Sequence, residues 1–147
     1  MNQPPSLLAH WRSWTSHILR LGLGGLFILA AWPKIHDPAA FAQMIYYYKI
    51  LPDALINPVA LLLPWTELVC GISLIAIPRL RPGAAALITL MLIVFTTAII
   101  FNLARGLDIS CGCFSVEENA ATIGWPKVVE NLALIGLGGL CMRLSAK

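Results

Sequence analysis

Four apolar stretches constrain this chain more than any other feature. They cover residues of about 18–33, 55–77, 83–104 and 128–142, in a chain of 147 residues that is 59% hydrophobic and 12% charged. An ordinary soluble domain carries roughly twice that charged fraction. Three of the stretches approach or exceed the roughly 20 residues that cross a bilayer as a helix. The fourth is short, and Lys127 and Arg143 at its ends can snorkel to lengthen it. The fold class expected is all-α: an integral membrane four-helix bundle in the lipid bilayer, with a polar tail over 1–15 and a transmembrane domain over 16–147. Small residues at Ala30 and Ala31 admit a signal peptide, but Leu29 suits a cleavage site poorly, so the first stretch reads as an uncleaved anchor. No basic stripe interleaved with aromatic residues is present, so no nucleic-acid partner is expected.

Punctuation between the stretches follows membrane rules. Trp32-Pro33-Lys34 and Trp125-Pro126-Lys127 read as interfacial markers on one side. Residues 35–54 are amphipathic, with Phe41, Met44, Ile45, Tyr48 and Leu51 at helical spacing. They predict a short outer helix lying on the membrane or capping the bundle, and Tyr46-Tyr47-Tyr48 suits an interfacial belt or the wall of a small-molecule site. Asn57-Pro58 reads as a cap and first-turn proline, and Pro64 predicts a kink. Gly22-Leu23-Gly24-Gly25-Leu26 recurs as Gly136-Leu137-Gly138-Gly139-Leu140, which predicts that the first and fourth spans touch through their glycines.

The charges divide by side. Arg12, Arg20, Arg79, Arg81, Arg143 and Lys147 fall on one, without an acidic residue. Lys34, Lys49, Arg105 and Lys127 fall on the other, among Asp37, Asp53, Asp108, Glu117 and Glu118. The positive-inside rule puts the first group, and both termini, in the cytoplasm. Glu67 sits near the middle of the second span. A central acidic residue costs about 2.5–3.5 kcal/mol on insertion scales, so it is expected to face the bundle or a wet cavity. It is either a functional carboxylate or a structural hydrogen-bond partner. Glu130 lies in the first turn of the fourth span, where the helix dipole favours a negative side chain, and a proton-relay role is the functional alternative.

Cys111-Gly112-Cys113 falls in the polar connection before the fourth span, on the outward, oxidising side. In an extended segment residues i and i+2 lie about 6.5–7 Å apart, at the edge of the disulfide range, and Gly112 can close the gap. The pair is a redox-active dithiol, a permanent clip, half a metal site or two unconnected thiols. A zinc site lacks ligands, since His36 is the sole further candidate on that side, so no metal is expected.

Lys34-Ile35, Phe41, Leu51-Pro52, Pro64-Trp65-Thr66-Glu67, Gly71, Arg105-Gly106 and Cys111-Gly112-Cys113-Phe114 together resemble the methylamine utilisation protein MauE family, within the DoxX-like four-helix membrane proteins. The likeness runs over roughly 16–143. The sequence departs from the family pattern at Ser110 and Ser115, where Asp and Gly usually stand. The resemblance implies an inner-membrane protein that passes thiol–disulfide equivalents to periplasmic partners. Those partners are a thioredoxin-like protein and a disulfide-rich client such as the small subunit of methylamine dehydrogenase. In that reading Cys111 and Cys113 are the redox pair, and Glu67, Glu130 and Lys34 handle protons or line a cavity. No cofactor motif is evident; a membrane quinone is the cofactor the wider group suggests. The alternatives are a non-catalytic assembly subunit with a structural Cys-Gly-Cys clip, and a small transporter or quinone-linked subunit.

Overall fold

A computed structural model describes residues 7–107 and 123–145, with side chains from Trp14 onward. The described residues form five α-helices: α1 (Leu7–His36), α2 (Pro38–Tyr48), α3 (Asp53–Ala76), α4 (Arg81–Ala104) and α5 (Trp125–Ser145), with a 3₁₀ turn at Pro78–Leu80. Four of them are long and apolar enough to span a bilayer. The chain is a multi-pass membrane protein.

The first helix begins at Leu7, inside the stretch expected to be a tail, and continues through Pro33 to His36. Pro33 has no N–H to give the Leu29 carbonyl, so one bond of the ladder is missing in the last turn of this helix. The third begins at Asp53 behind Pro52, so Pro58 lies inside the helix and not at its first turn. In α4, Thr89 and Thr96 would be costly in an apolar interior if unpaired. Each hydroxyl instead donates to the carbonyl four residues back, Thr89 to Ala85 at 2.8 Å and Thr96 to Leu92 at 2.6 Å. Asn102 is fully buried and donates to Ala98 O at 3.2 Å within its own helix, not across helices.

Around the bundle the spans pack α1 on α3, α3 on α4, α4 on α5, and α5 back on α1, while α2 lies across α3. The core is built from one stripe of each helix. Leu23 and Phe27 meet Cys70 and Leu74, then Ala85, Ile88 and Leu92, then Cys141. Outward-facing side chains are as apolar as inward ones: Leu29, Trp32, Leu62 and Val129 are all well exposed, as lipid contact requires.

The glycine expectation is corrected. Helices α1 and α5 are neighbours, but their glycines pack elsewhere. A Cβ at Gly24 would lie 2.8 Å from the carbonyl oxygen of Gly71 in α3. One at Gly138 would strike Thr89 Oγ1 in α4. The other glycines of both repeats, Gly22, Gly25, Gly136 and Gly139, face open space. Glycine serves here at two helix crossings: at α1 on α3 the backbones approach too closely for any side chain, and at α5 on α4 Gly138 leaves room for the Thr89 side chain.

Candidate functional site: a cavity under the outer helix

Helix α2 is placed firmly at its two ends. The Asp37 side chain accepts a hydrogen bond from Ala40 N at 2.9 Å, with Pro38 at the first position. At its other end Lys49 turns the chain in the left-handed region, φ 51°. The Lys49 carbonyl accepts a long bond from Arg105 at the end of α4, 3.5 Å. The helix directs Phe41, Met44 and Tyr48 into the bundle, and leaves Tyr46 and Tyr47 part-exposed on its other face. The tyrosine belt is therefore split: two rings suit the interface, and Tyr48 packs inward against Phe95 with ring centroids 6.3 Å apart. Burial pushes the Tyr48 phenol above its ordinary range.

Beneath α2 lies a cavity of about 280 Å³. That is close to the lower end of small-molecule sites. Its walls are largely apolar, and the polar residues that line it are Lys34, Tyr48, Glu67, Lys127, Glu130 and Asn131. Thus Lys34, Glu67 and Glu130, expected from sequence as proton-handling or cavity-lining residues, come from three different helices to one space.

Lys34, set in Trp-Pro-Lys, turns into the bundle and not outward. It is 5% exposed, and its Nζ lies 2.8 Å from both carboxylate oxygens of Glu67, itself 8% exposed. The reason is helical phase. Phe27, Ala31 and Lys34 lie on one face of α1, and Pro64, Glu67, Gly71 and Leu74 on one face of α3. The glycine crossing brings those faces together. The ammonium also lies 5.2 Å from the centroid of Phe41, whose ring face favours a cation. Both oxygens of Glu67 accept from this one ammonium, so the carboxylate stands here as the counter-ion of Lys34.

A second pair stands at the start of α5. Lys127 Nζ lies 2.8 Å from Glu130 Oε2, one turn away, and Glu130 is half exposed. The two pairs give the cavity four fixed charges that sum to zero. Asn131, next in the chain, is 4% exposed, and its Nδ2 has no hydrogen-bond partner among the described residues. Sequence reading passed over it, although Val128, Asn131, Gly138 and Cys141 recur on the buried stripe of α5. Cys70 and Cys141 are free thiols buried among apolar core side chains. Cys111 and Cys113 lie outside the described residues, in the connection between α4 and α5.

Fold and site together define a small multi-pass membrane protein, four spans and an outer helix around a largely apolar cavity with a buried ammonium–carboxylate pair in its wall. The chain belongs to the methylamine utilisation protein MauE family, whose family model matches residues 12–144. It is 39% identical over 109 residues to the methylamine utilization protein MauE of Methylophilus methylotrophus, covering 74% of this chain and 57% of that protein. To the protein of the same name in Paracoccus denitrificans it is 35% identical over 120 residues, 81% of this chain and 63% of the relative. To that of Paracoccus versutus it is 34% identical over 143 residues, 95% of this chain and 73% of the relative. The chain thus spans about three-fifths of the length of the first two relatives. No solved structure matches it.

Proposed function

We propose that this protein works in methylamine utilisation as an inner-membrane component that passes thiol–disulfide equivalents to a periplasmic, thioredoxin-like partner. Through that partner it supports maturation of a disulfide-rich extracytoplasmic client, such as a methylamine dehydrogenase subunit. The observation that carries the reading is the Cys111-Gly112-Cys113 pair in a polar connection of a chain that belongs to this family. One thiolate attacks a partner disulfide and expels one partner sulfur as a thiolate. The second cysteine displaces the other sulfur, so two electrons move to the partner and the disulfide bond moves to Cys111–Cys113. Run in reverse, the same steps oxidise the partner.

The reading is tested by thiol trapping. Cells are acid-quenched, free thiols are mass-tagged, and Cys111 and Cys113 are scored in a background with Cys70→Ala and Cys141→Ala. We expect a mixed oxidised and reduced population that shifts when periplasmic thioredoxin-like proteins are deleted. We also expect Cys113→Ser or Cys111→Ser to hold a covalent partner adduct that dithiothreitol releases. A pair that stays oxidised in every background, with no adduct from either variant, overturns the reading. A second reading, a non-catalytic assembly subunit, draws support from Glu67, both of whose carboxylate oxygens accept from Lys34 in a structural ion pair. It expects complex formation to survive both cysteine substitutions.

A further inference from the structure

The end of the bundle that carries the turn between α3 and α4 gathers arginines without acids. Arg20 of α1, Arg79 in the turn, Arg81 at the start of α4 and Arg143 near the end of α5 all belong to it. No Asp or Glu precedes Asp37, falls between Glu67 and Asp108, or follows Glu130. Both ion pairs among the described residues are made by lysines. Arg79 and Arg143 are exposed, but Arg20 and Arg81 are part-buried. These two come from different helices, stand close enough for their charges to repel, and both reach the neighbourhood of the Cys141 sulfur in α5. Two like charges drawn partly out of water are disfavoured unless an anion neutralises them.

The hydrogen bonds of the pair leave donors for such an anion. Arg20 turns back along α1 and gives Nε to the Ser16 carbonyl at 2.9 Å and Nη2 to the Ser16 hydroxyl. Arg81 gives Nη2 to the Ile75 carbonyl near the end of α3, at 3.3 Å. Nη1 of each guanidinium makes no hydrogen bond among the described residues and is not enclosed by them. Ile18, Leu21, Ile77 and Leu80, which flank the two arginines in the chain, are exposed, as contact with acyl chains requires.

We infer that Arg20 and Arg81 form a binding site for the phosphate of an anionic phospholipid, where the ends of α1, α4 and α5 meet. Guanidinium forks match phosphate oxygens, and basic pockets between membrane helices hold lipid head groups. The apolar flanks select a lipid over free phosphate, because they give acyl chains a surface to lie on. The site stands on these two arginines and does not depend on whether Cys111 and Cys113 exchange disulfides.

The test titrates the delipidated full chain in detergent with dioleoylphosphatidylglycerol and counts bound lipid by native mass spectrometry. A single lipid per chain is expected to bind about tenfold or more tightly than dioleoylphosphatidylcholine, whose choline cancels the phosphate charge. Arg20→Gln and Arg81→Gln are each expected to weaken it about tenfold, the loss of a charge-assisted hydrogen bond. Arg143→Gln, at an exposed position, is expected to change it by less than about twofold, since exposed charges are screened. Equal losses from all three variants would mark general attraction to a basic surface and overturn the inference. Lipid-free Arg20→Gln loses a like charge, so it is expected to melt no lower than the wild type and to lose the rise in Tm that phosphatidylglycerol gives the wild type. An arginine that is only structural predicts a lower melt and an unchanged rise. Arg20 bonds only within its own helix, so Arg20→Gln decides the matter if Arg81→Gln fails to fold. Equal binding of the two lipids by the wild type overturns the inference. So does displacement of the bound lipid by inorganic phosphate, which would mark a free-anion site.

Discussion

At Lys34 and Glu67 two charges sit where neither is stable alone. Each is held by the other at 2.8 Å, and the lysine also by the ring face of Phe41. Removing one partner of a buried pair leaves the other charge stranded, at a cost of about 3–5 kcal/mol, whereas replacing both by apolar groups of similar size is often neutral. Glu67→Leu and Lys34→Met are therefore each expected to be strongly destabilising, and the double variant Lys34→Met/Glu67→Leu to recover most of the loss. Unfolding of the detergent-solubilised variants checks this through the double-mutant cycle. Two single losses that simply add would mean that the pair is not coupled. Glu130→Gln supplies the contrast. Its pair with Lys127 is half exposed and one turn apart on the same helix, and such pairs contribute about 0.2–0.5 kcal/mol. A loss above 1 kcal/mol there would show a tertiary role that the geometry does not supply. Glu67 was legible in the sequence as an inward-facing acid, because its neighbours are apolar for many residues on either side. Lys34 was not. Proline and tryptophan beside it are the usual signs of an interface, and only its phase with Phe27 and Ala31 points inward.

Among the helices, the sequence made the spans plain and left their partners open. Long charge-poor runs force helix formation in lipid, so their existence and approximate ends followed from the residues. Which helix meets which depends on small residues whose context is tertiary. The repeated Gly-Leu-Gly-Gly-Leu looked like a self-complementary pair, yet Gly24 meets Gly71 and Gly138 meets Thr89. Gly71 entered the sequence reading only as one residue of the family resemblance, with nothing to mark it as Gly24's partner. The crossing gives a sharp prediction. A Cβ on Gly71 would lie 2.7 Å from the Gly24 carbonyl oxygen, a backbone atom that cannot swing aside. Gly71→Ala is expected to force α1 and α3 apart at a cost of about 1–3 kcal/mol, typical of overpacking. It is also expected to weaken the Lys34–Glu67 pair seated by that crossing. Gly22→Ala meets nothing within 4 Å and gains helix propensity, so stability is expected to hold or rise by up to about 1 kcal/mol. Thermal melts of the two variants side by side check the contrast, and equal melts would mean that the crossing is looser than the backbones indicate.

For the whole molecule the open quantity is orientation, and the charges determine it. Alternating spans put the turn at Pro78–Leu80 on the same side as the C-terminal end of α5, and α2 on the opposite side. Arg79, Arg81 and Arg143 mark the first side. On the second, Lys34 and Lys127 are neutralised by Glu67 and Glu130, so the net positive bias of that side is smaller than a count of its lysines suggests. Short loops rich in arginine resist translocation. Both termini are accordingly expected in the cytoplasm: a fluorescent protein fused after Lys147 should light up and alkaline phosphatase fused there should stay inactive. Replacing Arg79 and Arg81 by glutamate removes the strongest retained charges and should yield a mixed population. The result bears directly on the cysteines. An odd number of spans separates them from the C-terminus, so a cytoplasmic C-terminus puts Cys111 and Cys113 on the oxidising side, where exchange with periplasmic proteins is chemically open. An active phosphatase at Lys147 would put the pair in the reducing cytosol, and periplasmic thiol exchange would fail on topology before any thiol was titrated.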